Sequence, residues 1–306
     1  MRLIVAMLCA TSCGVGFKVG DAGTGGSSSS TVTGGASATG GHGGAATGIT
    51  TGGGVGGTGG VGGTGGDMGP IALTVCANDS DYNLDGVQMS GNDDKLENPN
   101  NFGPSAPFDV TFTVVMIDNV NLSAATLDTE GCDILQLGLE EYEVGSGVGY
   151  TSVSSAQVDE VRTWSLTPGH VVIAPQGFAA NWGNYVATSG VTNPMVAPAG
   201  GSPLFDGPFG DPSGFNQGGT FQGKWQQLVS GQYCPLIEDS GGNVVGFSDR
   251  LTGDVFLADV DVISELGGAT EGADIASNND VLFANLYAMV TQYAVANVTD
   301  PCPNAP

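Results

Sequence analysis

The chain has 306 residues, 53 of them glycine, with 31 acidic against six basic side chains and a formal charge of −25. A surface of that sign repels nucleic acid and anionic lipid head groups, so neither is an expected partner; long-range attraction favours cations, and most of the acids form a solvated face.

At the N-terminus Arg2 precedes an apolar run over 3–10, within the roughly 7–15 residues of a secretory core. Beyond position 14 no stretch supplies the about 20 apolar residues of a spanning helix without charges or glycines. The leader ends Leu8-Cys9-Ala10-Thr11-Ser12-Cys13-Gly14, which resembles a bacterial lipoprotein signal. The resemblance implies a leader over 1–13, lipid on Cys13 and a membrane contact made only through that anchor, at the outer membrane or cell surface. Ala10 stands where the motif has leucine, Cys9 offers a second register, and an ordinary cleaved signal peptide is the other reading.

Residues 14–70 form a linker of glycine, serine and threonine. Over 52–66 it repeats a Gly-Gly-X triplet, broken by Val55, Thr58, Val61 and Thr64. With almost no apolar side chain to offset chain entropy it is expected to behave as a flexible coil, with an r.m.s. span on the order of 40 Å. The absence of regular proline argues against a collagen helix, and His42 is a solvated linker residue. Residues 1–70 carry Arg2 and Lys18 against Asp21 and Asp67, so the whole charge surplus belongs to 71–306.

An acidic lead-in is expected over 71–107. It contains Asp79-x-Asp81-x-Asn83-x-Asp85-Gly86, oxygen ligands at every second residue followed by a turn glycine, as in calcium loops. Asp79, Asp81, Asn83 and Asp85 are the candidate ligands, with calcium the one cofactor considered. Asn92 stands where a sensor loop has a bidentate glutamate, so the pattern resembles dockerin and thrombospondin-type loops more closely. A polar lead-in without metal is the alternative.

If the leader cysteines are lipidated or removed, Cys76, Cys132, Cys234 and Cys302 remain, an even number suited to two disulfides in an oxidising compartment. Three pairings are possible. Cys76 with Cys302, tying the domain ends, and Cys132 with Cys234 are favoured. No CxxC spacing points to zinc or thiol-redox chemistry.

An α/β domain is expected over 108–306. The β-branched and apolar run over 110–117 reads as a strand covered on both faces, and 134–139, 170–174 and 255–258 are shorter strands of the same kind. Between them 154–166 reads as a serine-capped helix with Val158, Val161 and Trp164 or Leu166 buried, and 279–290 as a core helix, apolar around most of its circumference. The phrase Ser155-x-x-x-Asp159-x-Val161-x-x-Trp164 leading through Gly169 into Val171-Val172-Ile173-Ala174 resembles the helix, turn and strand of class I glutamine amidotransferase-like domains. The closing 253–261 segment resembles their last strand in non-catalytic members. The resemblance covers roughly 108–295 and implies a flavodoxin-like three-layer sandwich with a mainly parallel central sheet. It carries no activity over, because neither Cys132 nor Cys234 lies in a Gly-x-Cys-x-Gly elbow and His170 precedes its strand.

Ligands of parallel sheets sit beyond the C-terminal strand ends. Asp118, Glu140 with Glu141, Gln176, and Asp259 with Asp261 fall there, and paired carboxylates are the machinery of glycosidic acid/base chemistry or cation binding. The glycine- and phenylalanine-rich segment 200–225 reads either as a sugar surface using Trp225 and Trp182 or as a loop that packs its own rings. The leading functional expectation is a secreted, lipid-anchored surface protein with a non-catalytic binding or structural module whose partner is a glycan or surface protein. A polysaccharide hydrolase using Glu140, Glu141, Asp259 and Asp261 is the first alternative, and a calcium-stabilised adhesion protein the second.

Overall fold

Ile71–Asn78, β1, alternates side chains between two buried faces: Val75 and Ala77 point into one core and Cys76 into the other. In the computed structural model the described residues are 71–138 apart from 81, 87 and 90, then 153–174, 186–219 and 222–296. β1 is followed by α1 (Asn92–Glu97), β2 (Val110–Ile117), α2 (Ala124–Glu130), β3 (Ile134–Gln136), α3 (Ser155–Ser165) and β4 (Val171–Ala174). Then come β5 (Val186–Ser189), β6 (Met195–Val196), β7 (Gly223–Gln226), β8 (Tyr233–Asp239), β9 (Val244–Asp249), β10 (Val255–Leu257) and α4 (Asn278–Ala296).

The main sheet has eight strands in the order β2-β1-β3-β4-β10-β9-β8-β6. β2, β1, β3, β4 and β10 are mutually parallel, and β9, β8 and β6 extend them antiparallel. With β10 as the fifth parallel strand this is the 2-1-3-4-5 order of flavodoxin-like sheets. Helices cover both faces, as buried parallel strands require. Leu282, Phe283, Leu286 and Tyr287 of α4, with Leu96 of α1, cover one face. Leu127 of α2 and Val158, Val161 and Trp164 of α3 cover the other. β5 and β7 form a separate two-stranded ladder.

Two sequence expectations are corrected. Residues 71–107 are not a lead-in: β1 lies inside the sheet between β2 and β3, so the folded domain already includes Ile71 and does not start at 108. The alternation in β1 is diluted by Ala72, Thr74 and Ala77, which hides a central strand among small residues. Cys76 is bonded to Cys132, with Cα atoms 5.7 Å apart, and not to Cys302; nor is Cys132 bonded to Cys234. β1 brings Cys76 beside the turn before β3, a proximity set by strand order and invisible in sequence spacing. Cys234 is also disulfide-bonded; Cys302 lies outside the described residues.

The α3 expectation is met in detail. Ser154 Oγ accepts from the Gln157 backbone N–H at 3.3 Å and Gln157 Oε1 accepts from the Ser154 N–H at 2.9 Å, a reciprocal capping box. His170 stacks on Trp164, ring centroids 4.2 Å apart, at the N-terminal end of β4 and away from the C-terminal strand ends.

The segment after β6 packs its own rings. Leu204, Phe205 and Phe215 are buried, and Asn285 of α4 pins the segment: its Nδ2 donates to the carbonyls of Leu204 (2.9 Å) and Gly210 (2.8 Å), and its Oδ1 accepts from the Phe209 N–H (3.1 Å). Asn285→Ala is expected to lower stability by about 2–3 kcal/mol, since it leaves buried backbone groups unpaired. Urea unfolding checks the size, and hydrogen exchange checks that the loss is concentrated at 204–210.

Candidate functional site

The C-terminal ends of β1, β2 and β3 are sealed by side-chain amides. Asn78, fully buried, donates from Nδ2 to Asn119 Oδ1 and to the Gly138 carbonyl, both at 2.7 Å, and its Oδ1 accepts from the Gly138 N–H at 2.8 Å. Asn119 Nδ2 donates to the Asp79 carbonyl, Gln136 Nε2 to the Tyr82 carbonyl, and the Tyr287 hydroxyl to Gln136 Oε1. Gly138 is needed because a Cβ there would strike the Ser80 side chain. Asn78 satisfies the Gly138 N–H and C=O at once, without the desolvation cost of an ion, while Asn119 and Gln136 each cap a carbonyl and pair with a neighbouring side chain.

At the end of β10 the two predicted carboxyls come together. Asp259, 2 % exposed, accepts from the Asp261 N–H at 3.1 Å and from the Gly223 N–H at 3.4 Å, and so opens the 3-10 turn Val260–Val262. Asp261, 4 % exposed, accepts from Ser264 Oγ at 3.0 Å, and Gly219 lies so close to its Oδ2 that no Cβ fits. Burial, opposed by backbone hydrogen bonds from Asp261, Gly223 and Gln222, leaves Asp259 above the ordinary carboxyl range. Burial, with the charge of Asp259, pushes Asp261 up to about 6.

A carboxyl raised in the folded state binds its proton more tightly there than in the unfolded chain. Its stabilising contribution is complete below the unfolded value and lost as pH rises through about 6. In chelator, the protein is therefore expected to gain on the order of 1–3 kcal/mol at this site between pH 7.5 and 4.5, and Asp261→Asn to remove most of that dependence. Urea midpoints of both proteins across that range check it.

The remaining candidates are placed as follows. Trp225 is not a sugar platform: it is 5 % exposed and packs edge-on against Phe247 (centroids 5.3 Å apart) and Phe256 (6.4 Å). Its spacing from other aromatics in a glycine-rich stretch suggested exposure, whereas β7 turns it inward over the sheet. Glu140, Glu141, Gln176, Trp182 and Asp81 lie outside the described residues, as does Cys13. Asn83 is buried and its Oδ1 accepts from the Asp85 N–H at 3.1 Å, a local turn. Asp79 is raised by burial first, then by the nearby charges of Asp118 and Asp85. Among the described residues no three acidic, histidine or cysteine side chains are grouped to hold a metal ion.

Sequence reasoning passed over one further buried polar group. Lys95 Nζ lies 3.4 Å from Asp280 Oδ1 with both side chains fully buried, and it donates to Asn92 Oδ1 at 3.0 Å and to the Thr270 carbonyl. The run of Asn, Asp and Glu around Lys95 carries no sequence signal of burial; only the α1–α4 contact reveals its partner.

No family model matches the chain. No curated protein matches it either. Among solved structures, a Thermoplasma acidophilum protein described as part of a GMP synthase is similar at 12 % identity and TM-score 0.42, over 74 % of this chain and 98 % of that one. The fold assignment rests on the strand order and on the helices covering both faces.

Proposed function

We propose that the chain is an exported, surface-tethered protein whose flavodoxin-like, amidotransferase-like domain is a non-catalytic binding or structural module. The observation that carries this reading is the use of the strand-end polar groups among the described residues. Asp259 is occupied by backbone N–H groups, and the ends of β1, β2 and β3 are closed by amides bonded to one another. A doubly wound sheet binds its ligands at that edge, and an enzyme would leave its acid and base free to reach substrate. The buried Cys76–Cys132 disulfide supports export, because such bonds persist in oxidising compartments. The Gly-rich linker and Cys13 supply the tether, with a glycan or surface protein as partner.

Two measurements test the reading. Metabolic labelling with a radioactive fatty acid is expected to mark the wild-type chain and not Cys13→Ser. The purified full chain is expected to show no turnover on a panel of polysaccharides; turnover abolished by Asp259→Asn/Asp261→Asn would establish the hydrolase instead.

Calcium-stabilised adhesion is a second reading, resting on the alternating oxygen ligands of the 79–86 segment. Millimolar calcium would then raise the melting temperature, and Asp79→Asn/Asp85→Asn would abolish the rise.

A further inference from the structure

We propose that the free edge of β2 is a docking strand for an extended segment of another protein that carries lysine or arginine, adding one more strand to the sheet. This rests on the reading of the domain as a binding module with a surface-protein partner, and names the chemistry of that partner. β2 closes the strand order, paired with β1 on one side and with no described strand on the other. At about 3.3 Å per residue its length is about 26 Å. It contains none of the proline, lysine or bulges that ordinarily blunt an edge, and Thr111, Thr113 and Met116 are exposed along it.

One carboxylate marks the direction of the open main-chain groups. Glu97, at the end of α1, accepts from the Val114 N–H at 2.9 Å, where the carbonyl of an added strand would sit. N–H and C=O directions alternate along a strand, so those of Phe112 and Met116 also point away from β1. Charge decides the occupant. From Asn92 to Asn121 the acids are Asp93, Asp94, Glu97, Asp109 and Asp118, and the one basic side chain is Lys95, buried against Asp280. Asp109 and Asp118 are exposed at the two ends of β2, and Glu97 is exposed beside its middle. A second copy docked antiparallel about the centre of β2 would set Asp109 of each chain beside Asp118 of the other and bring the two Glu97 side chains together, which repels. A basic strand meets these carboxylates instead, while its main chain takes the ladder bonds, as in recognition by strand addition.

The test is titration of a short synthetic peptide, lysine alternating with valine or threonine, into the full chain at low salt, read by calorimetry and hydrogen exchange. One peptide per chain is expected, with exchange of the Phe112 and Met116 N–H groups slowed at least tenfold at saturation. A peptide of the same charge with proline at alternate positions cannot form the ladder and should bind at least tenfold more weakly. Met116→Pro removes an outward N–H at a position where an edge strand tolerates proline, and should weaken the lysine peptide by a similar factor. Asp109→Asn/Asp118→Asn should weaken it severalfold; should Met116→Pro fail to fold, this variant and the exchange pattern decide. No binding up to about 1 mM overturns the proposal. Equal affinity for the two peptides also overturns it, reducing the effect to general attraction by an acidic surface. Protection of the same N–H groups on concentrating the chain alone would overturn it by giving the edge to a second copy. Each of these results leaves the non-catalytic reading standing, since that is decided by turnover.

Discussion

Replacing Lys95 with methionine is expected to destabilise the domain by about 3–5 kcal/mol, the usual cost of removing one partner from a buried ion pair. Methionine approximates the volume of the lysine stem, so the loss reports charge rather than a cavity. Asp280 would be left fully buried with its hydrogen bonds from the Thr270 N–H (3.0 Å), Thr270 Oγ1 (2.6 Å), Ala276 N–H (3.1 Å) and Ser277 N–H (2.9 Å) but no counter-charge. Burial alone raises this carboxyl; the Thr270 and Ser277 hydrogen bonds and the charge of Lys95 outweigh it and hold Asp280 below the ordinary range. A depressed carboxyl contributes stability that is present above its unfolded value and lost as pH falls through its folded value. Lys95→Met should therefore move the acid-unfolding midpoint to higher pH as well as lower the urea midpoint at neutral pH. Lys95→Met/Asp280→Asn should recover part of the loss, because it no longer buries an unpaired ion. A double variant as damaged as Lys95→Met alone would assign the effect to packing instead.

That pair shows where the sequence stops being legible. The elements with strong local signatures could be read directly: the β-branched run of β2, the serine cap of α3, the continuous apolar circumference of α4 and the covered strands β4 and β10; β2 itself is not covered on both faces as expected but is the sheet's edge strand, with Thr111, Thr113 and Met116 exposed. Their order dictates a doubly wound sheet, and Asp259 and Asp261 could be placed at a strand end because β10 is followed at once by both. What could not be read depends on partners far away in the chain. β1 is diluted by alanine and threonine and becomes a strand because β2 and β3 flank it. Lys95 finds Asp280 only when α1 meets the start of α4. Trp225 failed for a related reason. A glycine-rich neighbourhood suggests a mobile, exposed ring, yet the β5–β7 ladder fixes its direction inward.

Loss of the Cys76–Cys132 bridge, by Cys76→Ser/Cys132→Ser, is expected to cost about 2–5 kcal/mol. The bond closes a loop spanning a sequence separation of 56, so it removes substantial freedom from the unfolded chain. Both cysteines are also buried among Leu127, Leu135 and Val161, so serine hydroxyls would be left in an apolar core. Cys76→Ala/Cys132→Ala separates the two contributions: it retains the entropic loss and omits the polar burial, and should be the milder pair. Dithiothreitol should lower the wild-type urea midpoint and leave the alanine variant's shift no larger than that from the remaining disulfide. Non-reducing peptide mapping checks the connectivity itself. Cys76 should be recovered joined to Cys132, and Cys234 in a separate disulfide-linked pair. A Cys76–Cys302 peptide would restore the connectivity favoured by sequence. It would exclude the Cys76–Cys132 bond, because one sulfur cannot serve two partners.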